Sequence, residues 1–333
     1  MSWYMQGGPD SDVVISTRIR FARNIAGFKF DLQNEQEIQK LEEKIKDNLY
    51  AIGYGLKFFK LKDMDDITKM SLVEKNIISP EFILNKNEKG SILINDDENI
   101  CIMINEEDHL KLQVFSSGFD LENTLNLAIE IDQKLEEILG YATSKKYGYL
   151  TTYPNNCGTA LKASVMLHMP AMLRAGNINN ILYTISSFEL NVKCDFEKNH
   201  NDILQISNKR TLGLTEKEII ENIKVITQKL IEQERKARKM LANANMDLED
   251  KICRSYGIIT NCKKISEEET NKLLSNVKLG VDLGILQKIT DAKIRKLYLY
   301  TKPANMQKKL GMQYDKLNQD IKRAEIIKTI VNS

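Results

Sequence analysis

Three consecutive carboxylates interrupt an apolar part of the chain. Glu106, Glu107 and Asp108 lie between two strand-like runs at 100–104 and 110–115. Like charges packed together at the end of a sheet raise the free energy of the folded state unless a cation offsets them. The stretch therefore predicts a positively charged partner, such as a planar guanidinium group, whose shape matches a carboxylate. An ordinary charged turn of a β-hairpin is the alternative interpretation.

The pattern around this stretch predicts an α+β fold. Three apolar runs at 91–94, 100–104 and 110–115 are separated by short turns, as in consecutive antiparallel strands. Amphipathic helices are predicted at 32–50 and 121–139, on either side of these strands. A meander enclosed by helices favours α+β over alternating βαβ units.

A change of composition near 243–246 predicts a domain boundary. Before it, Thr215 and Glu218 form a capping box that begins a long helix. After it, the chain is rich in lysine and in helical patterns, with almost no strand signal. We therefore expect one α+β domain at 1–243 and a small all-helical domain at 244–333.

Composition excludes several functional classes. The 333 residues carry a formal net charge of +2, which gives no reason to expect nucleic acid or an acidic membrane as a partner. No apolar run is long enough to span a membrane, and the first residues do not resemble a signal peptide. The 5 cysteines are irregularly spaced, which favours reduced thiols in the cytoplasm. The 3 histidines lack metal-ligand spacing, and no P-loop or dinucleotide-binding motif is present, so no metal site is predicted.

Three arginines follow the first predicted strand, at positions 18, 20 and 23. In an extended chain Arg18 and Arg20 share one face. Two aligned guanidinium groups repel each other unless an anion lies between them. A polyphosphate is an anion that could bind both groups. A solvated basic strand edge that limits aggregation is the alternative.

Three segments together resemble the phosphagen (guanidino) kinases. They are STRIR at 16–20, NEEDHL at 105–110 and PNNCGTALKASV at 154–165, in the order found in that family. Further similarity to the bacterial protein-arginine kinase branch continues to about residue 243. The resemblance implies the phosphagen-kinase catalytic domain, an antiparallel sheet flanked by helices, followed by a helical C-terminal domain that dimerises.

The resemblance also implies transfer of the ATP γ-phosphoryl group, with Mg²⁺, to a guanidinium group, which in this branch belongs to an arginine of another protein. Glu107 is then the expected base, supported by Glu106, Asp108 and Asp195. The implied nucleotide-binding set is Ser16, Thr17, Arg18, Ile19, Arg20, Lys111, Lys162, Ala163, Ser164, Val165 and Met166. The branch further implies a homodimer, a zinc-binding activator protein and a Clp ATPase system as partners, with no direct nucleic-acid or membrane binding.

The tail adds a shorter similarity. QDIKRA at 319–324 resembles the RDxxRA phosphoarginine-binding motif of the branch, with glutamine in place of the first arginine. The resemblance implies an allosteric role for Asp320 and Arg323.

The chain departs from the family at several expected contacts with the nucleotide. Lys111, Lys162 and Leu190 replace arginines, and Glu81 replaces a histidine. Lysine keeps the charge but loses the fork that contacts a phosphate at two points. An active and weakened kinase therefore competes with a catalytically inactive regulatory or binding protein of the same fold.

Overall fold

The computed structural model describes residues 2–86, 89–176, 183, 185, 187–194, 202–244 and 246–333. The strands of the described residues are β1 Val14–Arg23, β2 Lys57–Lys60, β3 Ser91–Ile94, β4 Ile100–Ile104, β5 Leu110–Ser117, β6 Thr143–Ser144, β7 Gly148–Tyr149, β8 Leu161–His168, β9 Leu190–Cys194 and β10 Ile203–Asn208. The α-helices are α1 Glu35–Asp47, α2 Leu49–Ile52, α3 Asp66–Glu74, α4 Pro80–Lys86, α5 Leu121–Leu139, α6 Pro170–Arg174, α7 Glu216–Ala244, α8 Met246–Asn261, α9 Glu267–Asp282, α10 Asp291–Tyr300, α11 Pro303–Leu310 and α12 Lys316–Asn332.

One antiparallel sheet of eight strands organises the first part of the chain. Its order is β2-β3-β4-β5-β1-β8-β10-β9, so β1 lies near the centre, between β5 and β8. The main apolar core joins one face of this sheet to α5 and α7. A smaller core joins the other face of β3 and β4 to α3 and α4. The α+β class expected from the sequence is confirmed.

The strand β1 is longer than the sequence pattern predicts. The pattern indicates a short strand that ends near Ser16, whereas β1 continues to Arg23. The three arginines interrupt the apolar run and so obscure the rest of the strand, in which polar and apolar residues alternate between the two faces. The predicted meander and the helix at 121–139 are confirmed with nearly the same bounds.

Residues 246–333 form only helices and are called the helical segment below. Most of its apolar side chains pack in a core of their own. It also contacts the sheet part of the molecule through polar groups. Glu74 of α3 accepts hydrogen bonds from the backbone N–H groups of Ala304 (2.7 Å) and Asn305 (2.8 Å), at the start of α11. A carboxylate at a helix N-terminus is favourably placed, which fixes the orientation of α11 on α3.

Candidate active site

The strand register gathers four cations on one face of the sheet. Arg20 lies opposite Lys162 of β8, and Arg18 lies opposite Ser164. The register of β5 brings Lys111 to the same side. We call this surface, defined by Arg18, Arg20, Lys111 and Lys162, the cationic face. It opposes the face that packs on α5 and α7.

Arg23 does not belong to the cationic face, although it is in the same strand. Its side chain is buried in the opposite face and forms an ion pair of 2.6 Å with Asp132 of α5. Its guanidinium carbon lies 3.7 Å from the ring centroid of Tyr149. Successive side chains of β1 point to opposite faces of the sheet. Arg18 and Arg20 therefore remain candidates for a functional role, whereas Arg23 has a structural one.

Of the four cations of the cationic face, Lys111 forms an ion pair with a carboxylate of the described residues, whereas Arg18, Arg20 and Lys162 do not. Burial lowers the pKa of Lys162 to about 8, and the charges of Arg20 and Arg18 add to the effect. Burial, followed by the charge of Arg20, lowers the pKa of Arg18 well below its usual value. Among the described residues, the buried Nε of Arg20 has no hydrogen-bond partner. Such crowding raises the free energy of the face until an anion binds, so the geometry is that of an anion site.

The acidic loop, residues 105–109, joins β4 to β5 at the end of this face. Glu106 is buried and forms an ion pair of 2.8 Å with Lys111. It also accepts a hydrogen bond of 3.0 Å from the Ser79 hydroxyl. Burial opposes ionisation, but Lys111 and the hydrogen bonds outweigh it and lower the pKa of Glu106. Glu106 is therefore an ionised carboxylate that fixes Lys111.

Glu107 differs from its two acidic neighbours because its side chain is exposed. Partial burial raises its pKa, Lys111 opposes the rise, and the charges of Glu106 and Asp108 add to it. Arg20 and Glu107 influence each other's pKa, so the loop and the cationic face share one electrostatic environment. A carboxylate with a raised pKa beside a cationic face is placed to accept a proton.

Asp108 and His109 hold the loop in place. Asp108 accepts hydrogen bonds from Asn24 Nδ2 (2.8 Å) and from the backbone N–H of Thr152 (2.7 Å). His109 donates a hydrogen bond of 2.7 Å from Nε2 to the carbonyl oxygen of Lys29, because a carbonyl oxygen can only accept. Nδ1 of His109 also accepts a hydrogen bond of 2.9 Å from the backbone N–H of Ile25, so this histidine has a structural role.

The chain is similar to known proteins over nearly its whole length. The family model of the ATP:guanido phosphotransferase C-terminal catalytic domain matches residues 36–237, and that of the protein-arginine kinase McsB C-terminal domain matches 245–333. The protein-arginine kinase of Halothermothrix orenii is 42% identical over 339 residues, covering 99% of this chain and 96% of the relative. That of Bacillus subtilis is 37% identical, covering 98% and 92%. This chain belongs to the ATP:guanido phosphotransferase family.

Solved structures agree with the assignment of the fold. A duplicated taurocyamine kinase from Schistosoma mansoni has a TM-score of 0.58 and 26% identity, over 68% of this chain and 33% of that chain. Lombricine kinase has a TM-score of 0.59 over 72% of this chain and 70% of that chain, at 21% identity, and supports the fold alone. About two thirds of the present chain thus matches a third of the duplicated enzyme.

Not every residue of the expected nucleotide-binding set faces the same side in this family member. Those whose side chains lie on the cationic face are Ser16, Arg18, Arg20, Lys111, Lys162, Ser164 and Met166. Those that alternate with them toward the core are Thr17, Ile19, Ala163 and Val165. The second group supports the first by packing, because side chains on the core face do not reach a ligand on the other side.

Two departures from the family pattern, Lys111 and Lys162, belong to the cationic face, whereas Leu190 and Glu81 do not. Leu190 begins β9 and is buried in the main core. Glu81 is exposed in the first turn of α4. Asp195, the expected second acid, lies outside the described residues. Leu190 therefore contributes packing at a position where the family pattern has a cation.

The expected phosphoarginine-binding residues are engaged with each other and with the backbone. Arg323 is buried and donates to the carbonyl oxygens of Thr301 and Ile265, each at 2.8 Å. It also forms an ion pair of 2.5 Å with Asp320. These contacts join α12 to the ends of two other segments, which is a structural role in the present conformation.

Ser79 and Asn24 are site residues that sequence reasoning missed. Ser79 accepts a hydrogen bond from the N–H of Phe82 at the start of α4 and donates to Glu106. Its signal in the sequence is the Ser-Pro pair at a helix start, which indicates a cap and not a contact with an acid. Asn24 gives no comparable signal, since its partner Asp108 is distant in the chain.

No three His, Cys, Asp or Glu side chains of the described residues are close enough together to hold a metal ion. The helices of the described ranges also include none that is long and apolar enough to cross a membrane.

Proposed function

We propose that this chain transfers the γ-phosphoryl group of ATP to the guanidinium group of arginine side chains in other proteins. The observation that carries the proposal is Arg20, which lies on an unneutralised cationic face and within the electrostatic reach of Glu107. The cationic face, which suits an anion, is therefore next to the acidic loop, which suits a cation. The proposal agrees with the curated relatives, which are protein-arginine kinases. The alternative of a catalytically inactive protein is not favoured by those relatives.

The cationic face would hold the phosphate tail. Arg18, Arg20 and Lys162 lie side by side on β1 and β8, so their charge is concentrated where the transferred group would develop negative charge. Preorganised cations stabilise such a transition state without rearrangement during the reaction. Lys111 is bound to Glu106 and supplies its charge to the acidic loop.

Glu107 would orient the acceptor and take its proton. A guanidinium nitrogen attacks the γ-phosphorus, the bond from that phosphorus to the ADP oxygen breaks, and the nitrogen proton passes to the carboxylate. A protonated guanidinium is a poor nucleophile, which is why a base must be at hand. The raised pKa of Glu107 makes the carboxylate a better proton acceptor than an ordinary glutamate.

Magnesium would arrive with the nucleotide, coordinated by its phosphate oxygens, because Mg²⁺ is commonly bound through substrate phosphates and few protein ligands. The remaining parts of the proposal derive from the resemblance. They are two domains at 1–243 and 244–333, a homodimer, a cytoplasmic location, and a zinc-binding activator and a Clp ATPase system as partners in protein quality control. The phosphoarginine-binding role of Asp320 and Arg323 has the same basis.

The test is formation of acid-labile phosphoarginine on an arginine-rich protein incubated with Mg-ATP. A Glu107→Ala variant is the negative control, and a variant at the exposed Glu122, which pairs with Lys224 on the surface, is the matched positive control. We expect product with the wild type and with Glu122→Ala only. Equal signals from the wild type and Glu107→Ala would refute the proposal.

A further inference from the structure

Residues 151–160, called the connecting segment below, join the acidic loop to the cationic face. At one end, Thr152 donates a hydrogen bond from its backbone N–H to Asp108 (2.7 Å) and one from its hydroxyl to the carbonyl oxygen of Glu107 (2.8 Å). At the other end the segment leads into β8, which carries Lys162. The connecting segment therefore runs between the carboxylate proposed to take the proton and a cation proposed to hold the phosphates.

The backbone of the connecting segment is fixed around Tyr153. The carbonyl oxygen of Tyr153 accepts hydrogen bonds from the Thr151 hydroxyl (2.7 Å) and from the backbone N–H of Asn156 (2.9 Å). Pro154 follows and begins a short 3₁₀ helix, and a residue before proline is restricted to extended conformations, as Tyr153 is here. The side chain of Tyr153 is thus carried by backbone that needs little ordering when a ligand binds.

Tyr153 and Glu107 each present a side chain without a partner. The side chain of Tyr153 is 54% exposed, and among the described residues its ring has no stacking, cation–π or hydrogen-bond contact. The carboxylate of Glu107 likewise has no ion pair or hydrogen bond within the described ranges. Its neighbours Glu106 and Asp108 are both engaged. One aromatic ring and one carboxylate are therefore available on two segments that Thr152 holds together.

An aromatic face and a carboxylate both attract cations. The face of a tyrosine ring carries negative electrostatic potential because of its quadrupole. A planar guanidinium group can contact both at once, since its N–H groups donate to a carboxylate in its own plane and its flat surface stacks on a ring. An ammonium group has no flat surface and is more strongly hydrated. The ring and the carboxylate together therefore suit the side chain of arginine better than that of lysine.

We propose that Tyr153 determines the specificity of the acceptor site, because its ring stacks on the guanidinium group that Glu107 orients. This inference rests on the proposed kinase function and adds to it the residue that distinguishes arginine from other cationic side chains. Stacking fixes the plane of the guanidinium group and leaves its edge to Glu107 and to the phosphoryl group. Both side chains are exposed, so an arginine carried by another protein can reach them.

Two variants of Tyr153 separate the aromatic face from the hydroxyl. Tyr153→Leu removes the face and keeps an apolar side chain, so loss of the cation–π contact should raise the KM for the acceptor protein roughly 3- to 30-fold. Tyr153→Phe keeps the face, so its acceptor KM should stay within about twofold of the wild type. The KM for ATP should be unchanged in both. Equal acceptor KM values for Tyr153→Leu and Tyr153→Phe would overturn the inference.

Tyr147→Leu is the matched control. Tyr147 is also an exposed tyrosine, at 45%, and it lies between β6 and β7, where Lys146 Nζ is 5.0 Å from its ring centroid. We expect this variant to keep the acceptor KM of the wild type. Thermal unfolding checks that all three variants fold. A rise of the acceptor KM in Tyr147→Leu equal to that in Tyr153→Leu would contradict a specific role for Tyr153.

Peptide binding without ATP separates recognition from catalysis. Three short peptides of one sequence carry arginine, lysine or citrulline at the same position, and their affinity for the full chain is measured by NMR titration. Citrulline is planar but uncharged, whereas lysine is charged but not planar. We expect the wild type to bind the arginine peptide most tightly, and Tyr153→Leu to lose most of the preference for arginine over lysine. An unchanged preference in Tyr153→Leu would refute the role of the ring.

The two proposals fail in different ways. A wild type that forms no phosphoarginine but binds the arginine peptide, with weaker binding in Tyr153→Leu than in Tyr153→Phe, refutes the kinase function and supports the role of Tyr153. An active wild type with equal acceptor KM values in Tyr153→Leu and Tyr153→Phe refutes the role of Tyr153 alone. A wild type that neither forms phosphoarginine nor binds the peptide refutes both.

Discussion

The buried cations of the cationic face and of the helical segment have different surroundings. In the helical segment, Arg323 is matched by Asp320 and by two backbone carbonyl oxygens. On the cationic face, Arg18, Arg20 and Lys162 lie beside one another, and burial lowers the pKa of each. A cation that the fold neutralises stabilises the fold, whereas one that the fold leaves unneutralised indicates a missing anion.

The same contrast occurs within β1. Arg20 and Arg23 are three positions apart, yet within the described part of the chain only Arg23 forms an ion pair, with Asp132. Sequence gives both residues the same charge and size. Their roles are distinguished by the face on which each lies: α5 packs on the side of Arg23, whereas the side of Arg20 carries the other cations of the cationic face.

Substitution of these two arginines should therefore give opposite phenotypes. Arg20→Met should reduce turnover about 10³- to 10⁵-fold, as loss of an arginine that stabilises phosphoryl transfer does. Its stability should be unchanged or higher, because an unneutralised cation is removed. Arg23→Met should instead lower the free energy of unfolding by about 3–5 kcal/mol, since Asp132 is left buried without a partner. Phosphoarginine formation and urea unfolding measure the two effects, and equal loss of stability in both variants would break the comparison.

Glu107→Gln should reduce kcat about 10²- to 10⁴-fold, the usual contribution of a general base. The KM for ATP should change little, since the proposed phosphate contacts belong to the cationic face and not to Glu107. In the wild type, the rate should rise as pH increases through the pKa of Glu107, which lies above its usual value of 4.5, because only the carboxylate accepts a proton. This acid limb should be absent from the residual rate of the variant. A wild-type acid limb that persists in Glu107→Gln would assign the base to another group.

Arg323→Met should destabilise the helical segment by about 3–5 kcal/mol, as removal of one member of a buried ion pair does. The matched control Lys322→Met breaks a partly exposed pair with Glu325 and should cost about 1 kcal/mol or less. Urea unfolding followed by circular dichroism compares the two. A stable Arg323→Met variant that fails to bind phosphoarginine would instead support the ligand-binding role implied by the sequence.

Lys162→Arg tests the smallest effect, the pH dependence of nucleotide binding. The pKa of Lys162, about 8, means that its charge is lost as pH rises above that value. The wild-type KM for ATP should therefore increase about fivefold between about pH 8 and about pH 9, and the arginine variant should show no such rise. The folded protein should gain stability over the same range and up to the usual lysine pKa of 10.5, because the unfolded chain binds the proton more tightly. Parallel KM profiles for both proteins would exclude Lys162 as the titrating group.

Much of the fold was predictable because its signals are local. The helix Leu121–Leu139 follows from apolar spacing alone, and the capping box of Thr215 and Glu218 is present as predicted, with the Thr215 N–H donating to the Glu218 carboxylate at 2.8 Å. The full length of β1 was not predictable, because its alternation of charged and apolar residues also fits a solvated edge. The ion pair of Arg23 with Asp132 gave no local signal, since the two residues are far apart in the chain.

The sequence by itself determined that Arg18 and Arg20 share a face and that three motifs match the guanidino kinases. The resemblance implied that Lys111 and Lys162 join them, but only the tertiary structure decided how these charges are arranged. Strand register sets Lys162 opposite Arg20 and Lys111 on the same face, and it turns Arg23 toward Asp132. The physical reason is that electrostatic energy depends on distance and burial, and both are fixed by pairing between strands that are far apart in the chain.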